Sequence, residues 1–139
     1  MPLELVPLGT MTAMLRKPIV LRGTPAGDRH IFEVESGRIE GDRIQADLYG
    51  ASAADWLLIG PDGTGTLDVR AMVRTDDGAF IYLSYGGRVD LSAGQGAPLY
   101  ATPTFETADE RYRWLNKIQA VGKGVMKGTT LRYELYELR

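Results

Sequence analysis

The chain has 139 residues, 44% of them apolar and 24% charged, a composition that excludes disorder and collagen-like repeats and bounds the protein to one globular domain, residues 1–139. Its formal net charge is −2 with no run of Lys or Arg, so the electrostatic footprint of a nucleic-acid partner is absent. There is no Cys and only one His, His30, which removes thiolate catalysis and Cys-ligated zinc, leaves any metal site or His-based triad resting on one imidazole, and narrows the chemistry to carboxylates, Arg, Tyr and amides.

The start, Met1-Pro-Leu-Glu-Leu-Val-Pro-Leu8, carries an acid and two prolines where a secretory leader needs a basic start and an unbroken apolar core. The expectation is a cytoplasmic protein. No stretch approaches the roughly 20 apolar residues of a spanning helix, so no membrane partner is expected. Weak strand patterns at 3–15 and 19–22 are followed by stronger ones at 31–35, 43–49, 66–74, 79–89, 99–105, 117–126 and 129–138. Between them lie Gly41-Asp42, Pro61-Asp62-Gly63, Asp76-Asp77-Gly78, Gly86-Gly87 and Lys127-Gly128, each a short turn signal. Consecutive hairpins make an antiparallel meander. Eight to ten such strands avoid exposed edges by closing, which predicts an all-β, up-and-down antiparallel barrel.

One segment departs from the period of two. Thr107 stands three positions before Glu110, the spacing of a capping box, and Arg111-Tyr-Arg-Trp-Leu115 follows, so one short helix is predicted near residues 108–115. Tyr112 and Leu115 share its face and can plug one end of the barrel.

Alternation also assigns faces. After the helix, Asn116, Ile118, Ala120, Gly122 and Gly124 share one parity and Lys117, Gln119, Val121 and Lys123 the other. The first set is expected inside, where dwindling side chains either leave a cavity or make room for aromatics from across the barrel. Ile44, Ala46 and Leu48 likewise oppose Arg43, Gln45 and Asp47. In residues 66–74, Leu67, Val69, Ala71 and Val73 oppose Asp68, Arg70 and Arg74, which defines two faces without deciding which is inside. With the apolar stripe outside, Arg70 enters the lumen and the stripe needs a covering subunit, so a homo-oligomer is expected.

Gly23-Thr-Pro-Ala-Gly-Asp-Arg29, Ala54-Asp-Trp56, Leu67-Asp-Val-Arg70, Thr75-Asp-Asp-Gly78, Phe105-Glu-Thr107 and Tyr112-Arg-Trp-Leu-Asn116 occur in that order along nearly the whole chain. This ordered set resembles the domain of unknown function 3237 family, small β-barrel proteins of bacteria and fungi. The resemblance implies a lipocalin-like barrel and strengthens a lumen role for Arg70. The chain departs from the family pattern in having Ala51-Ser-Ala-Ala54 before Asp55 and Ala46 in the preceding strand, where the family has Gly.

The residues then allow two functions. One is cofactor-independent acid–base catalysis, an isomerisation, elimination or lactone opening, on a small carbonyl or aromatic compound in the lumen. Asp55 or Glu106 would move the proton and Arg70 would clamp an anion, with Trp56, Tyr82, Tyr100, Trp114 and Asn116 holding the substrate. Neither cofactor nor metal is needed for that chemistry. In the other, the barrel only binds or carries a small ligand. Structural ion pairs joining Asp55 and Glu106 to Arg70 and Arg111 are the competing explanation of the charges.

Overall fold

Alternating residues form strands that need partners on both edges, and here eight strand positions find them in one closed ring. The strands are β1 (Leu5–Leu15), β2 (Ile19–Thr24), β3 (Gly27–Glu40), β4 (Gln45–Leu48), β5 (Ala54–Ile59), β6 (Thr64–Thr75), β7 (Phe80–Asp90), β8 (Leu99–Ala101), β9 (Thr104–Glu106), β10 (Ala120–Lys127) and β11 (Thr130–Leu138). The computed structural model describes all 139 residues. Pairing runs β1–β3–β5–β6–β7–β8–β10–β11 and returns to β1, entirely antiparallel, so the barrel closes with eight strand positions. Short β4 and β5 share the position between β3 and β6, while β8 and β9 pair in succession along β7. Beyond the end of β1, β2 pairs with the first part of β3.

The expected all-β barrel is therefore the fold, with several boundaries redrawn. The stretch 99–105 is split at Thr102-Pro103, where proline has no N–H to give a ladder. Gly86-Gly87 is not a turn: both lie inside β7, and a Cβ on Gly87 would collide with the Tyr100 carbonyl of β8, so the glycine marks close strand approach. Residues around Asp55, which fall between the predicted strands 43–49 and 66–74, form β5 against both β3 and β6.

The predicted helix is a 3-10 helix, Glu110–Lys117. Its N-cap is Asp109, not Thr107, because the Asp109 carboxylate accepts the Arg111 N–H at 3.0 Å. Thr107 instead donates its hydroxyl to the Phe80 carbonyl at 2.8 Å. Asn116 belongs to this helix, so its parity with β10 does not carry it into the barrel. Leu115 is fully buried and Tyr112 nearly so, with the Tyr112 hydroxyl donating to Asp77 in the β6–β7 turn. That closes one end of the barrel, as the spacing of Tyr112 and Leu115 predicts.

Inside, Leu67, Val69, Ala71 and Val73 of β6 are all buried in the core, together with Ile44 and Ala46. The opposite face of β6, with Asp68, Arg70 and Arg74, is solvent-exposed. No helix is long and apolar enough to cross a membrane.

Candidate active site in the barrel lumen

The barrel encloses a cavity of about 430 Å³, within the range of small-molecule sites. It extends from the core to the other end of the barrel, where Leu15, Gly128 and the β7–β8 loop residues Leu91, Gly94 and Ala97 line it. Of its 30 lining residues 22 are hydrophobic, and Asp55 is the single carboxylic acid among them. Arg38, also on the lining, spends its guanidinium on Asp47 at 3.1 Å and Asp76 at 2.9 Å, both exposed, and so offers no charge to the interior.

Asp55 reaches the lumen because of its register. It pairs with Phe32 of β3 on one side and Val69 of β6 on the other, and Val69 pairs in turn with Tyr85 of β7. Directly opposed residues on paired strands project to the same face, so these four form one rung of the inner wall. The β5–β6 ladder lapses at Trp56 and Leu57, and there the Asp68 N–H donates to the Asp55 carboxylate at 3.0 Å. That N–H favours the ionised form, but removal from water outweighs it, with the nearby Asp68 charge adding to the effect, and lifts the Asp55 pKa to about 6.

Besides Thr12 and Gln95, two phenols line the lumen. Tyr85 shares parity with Ile81 and Leu83, and Tyr133 of β11 shares parity with Leu131 and Leu135, so both are swept inside with those apolar neighbours. Their rings meet edge to face at 5.8 Å. Burial, reinforced by the charge of Asp55, raises the pKa of both hydroxyls, which keeps them protonated at neutral pH. Neither was selected from the sequence, although their placement on an apolar parity was the available signal.

Tyr133 also explains the glycines of β10. It lies opposite Gly124 in the β10–β11 ladder, and a Cβ on Gly124 would stand 2.6 Å from its ring. A Cβ on Gly122 would meet Leu135 at 2.8 Å. These small residues are therefore a seat for side chains of β11 and not an empty stretch of wall.

The other sequence candidates do not converge on the cavity. Arg70, expected to turn inward, lies on the outer face of β6, where it lines a shallow groove with Tyr82, Ser84 and Thr104. Glu106 is exposed and pairs with Tyr82 along β7 and β9. Trp56 is 49% and Tyr100 50% exposed, each on the outer parity of its strand. Trp114 packs at the closed end under the Arg43 guanidinium, 4.6 Å from its ring centre, and that guanidinium also pairs with Glu137 at 2.9 Å. Asn116 is structural: its side chain accepts the Thr107 N–H at 2.8 Å and donates to the Thr107 carbonyl at 2.9 Å, tying the helix to the chain before it. None of the ion pairs expected between Asp55 or Glu106 and Arg70 or Arg111 forms; Arg111 pairs with Asp77 and Asp109. The apolar stripe that pointed to a covering subunit is inside, so it offers no outer contact.

A sequence model of proteins of unknown function, DUF3237, matches residues 3–138. The chain belongs to that family. A β-barrel-like protein of Acinetobacter baumannii superposes with a TM-score of 0.89 at 29% identity, over 100% of this chain and 98% of its own. A UPF0311 protein of Clostridium acetobutylicum is 28% identical over 120 residues, 76% of this chain and 75% of that protein. The hydroalkoxylation enzyme phnH of Penicillium herquei is 29% identical over 86 residues, 62% of this chain and half of its own length.

Proposed function

We propose that the protein is an acid–base enzyme in which Asp55 transfers a proton to or from a small, largely apolar carbonyl or aromatic compound held in the lumen. The observation that carries this reading is a lone carboxyl group projecting into an apolar cavity, with its pKa raised to about 6 by that surrounding. A group that titrates near neutral pH is present in both forms, and so serves as base and then as acid within one turnover. The reaction named for the fungal relative, hydroalkoxylation, supports it. Adding an O–H across a C=C moves one proton to carbon and forms one C–O bond, which calls for proton transfer by a positioned group.

A minimal assay uses 1-tetralone as a probe ketone in deuterated buffer. The Asp55 carboxylate takes an α-proton, leaving an enolate, and a deuteron returned to carbon restores the ketone. Proton resonances of the α-position should fade faster with protein than without, at a rate that rises through pH 6 and levels off above it. Asp55→Asn should abolish the acceleration. If the ketone binds but exchanges no faster than in buffer at every pH, the barrel is a carrier and the catalytic reading is wrong.

A further inference from the structure

We infer that the hydroxyls of Tyr133 and Tyr85 form a donor site for the carbonyl oxygen of a neutral, ring-sized ligand, a role that rests on the lumen being the ligand site and names the class of compound it takes. Three observations lead there.

The first is chemical. Tyr133 is 1% exposed and Tyr85 9%, both line the cavity, and neither hydroxyl hydrogen-bonds the main chain. A buried phenol ordinarily secures a partner for its O–H. Two phenols facing one another can satisfy one O–H between them, which leaves the second to donate to something in the cavity. Phenylalanine would fill the same volume without presenting that donor.

The second is architectural. Tyr133 comes from β11 and Tyr85 from β7, strands three positions apart around a ring of eight, so the rings meet across the lumen. Bringing Tyr133 there takes a notch in β10, where Gly124 and Gly122 bear no side chain against it. Val69 bridges Tyr85 to Asp55 in the strand register, which sets the donor pair beside the proton-transfer group.

The third is electrostatic. Arg38 is the one basic residue on the cavity lining, and it is drawn outward to Asp47 and Asp76. A carboxylate or phosphate on the ligand would find no counter-charge inside and would face Asp55. An uncharged oxygen acceptor on an apolar frame satisfies the phenols without that penalty.

The test compares 1-tetralone with tetralin, which have the same fused rings but differ in the carbonyl. Titration calorimetry should show the wild-type protein binding tetralone more tightly than tetralin. Tyr133→Phe should weaken tetralone roughly three- to tenfold, the effect of one hydrogen bond, and leave tetralin unchanged. Tyr85→Phe provides the second variant, and circular dichroism with melting checks that each is folded. Equal weakening of both ligands would make the tyrosines mere wall and overturn the inference; so would unchanged tetralone affinity in both variants, or no binding of tetralone by the wild type. The outcome is separable from the role of Asp55: a lost carbonyl preference in Tyr133→Phe without any α-proton exchange in the wild type keeps the donor site and removes the proton-transfer reading, and the reverse result does the opposite.

Discussion

Asp55→Asn should stabilise the fold at neutral pH, an unusual result for a mutation of a candidate catalytic acid and one that follows from where the carboxyl sits. Burial lifts its pKa from 3.8 to about 6. The folded state therefore holds the proton more tightly than the unfolded chain does. Below pH 4 both states are protonated and the site costs nothing. As pH rises the unfolded chain ionises first, folding stability declines between pH 4 and 6, and above pH 6 the loss is complete. A difference of about 2 pKa units at 1.36 kcal/mol each gives roughly 3 kcal/mol as the upper limit of the penalty at pH 7. Asparagine keeps an oxygen to accept the Asp68 N–H, so the existing hydrogen bond survives, while its amide is left facing the cavity and returns part of the gain. A net gain of about 1–2 kcal/mol is expected at pH 7.5, shrinking to nothing or reversing at pH 4. Urea unfolding of both proteins at half-unit steps from pH 4 to 8 measures it. A wild type as stable as the variant at pH 8, or a difference that does not change with pH, would refute the burial argument.

Two further substitutions examine the division between lumen and outer wall. Arg70→Met removes a guanidinium that forms no ion pair and stands outside the barrel, so stability should change by less than about 0.5 kcal/mol and binding of tetralone should be unchanged, by denaturation and calorimetry. Gly124→Ala places a methyl group against the Tyr133 ring and should cost about 1–3 kcal/mol in urea unfolding. The same change made with Tyr133→Leu should cost measurably less, because the clash is with that ring; full additivity would show the glycine to be needed for another reason.

Much of the architecture is legible in the chain. Period-two alternation in 66–74 and 79–89 and turns such as Asp76-Asp77-Gly78 and Lys127-Gly128 specify antiparallel strands, because each depends on residues only a few positions apart. The capping signal places the short helix within two residues of its observed limits, though Asp109 takes the cap that Thr107 was expected to hold. Gly86-Gly87 misleads for the opposite reason: those glycines answer to the backbone of β8, and the signal for that contact lies more than ten residues away.

The site is where local reading stops. Alternation in β6 separates Leu67, Val69, Ala71 and Val73 from Arg70 but is symmetric between inside and outside; closure of the ring breaks the symmetry by burying the apolar set. Asp55 is a carboxylate able to move a proton, but its strand is only six residues long and lies outside every strand pattern predicted from the sequence. Pairing to both β3 and β6 gave it an inward direction and a partly desolvated setting, and with them its altered pKa. Tyr85 and Tyr133 stand nearly fifty residues apart and approach only because the barrel brings β7 and β11 face to face across its lumen. The sequence by itself determined the strands, the turns and the supply of titratable groups, since these rest on neighbouring residues. Only the tertiary structure decided which of those groups lost their water, since burial of any one of them depends on every strand in the ring.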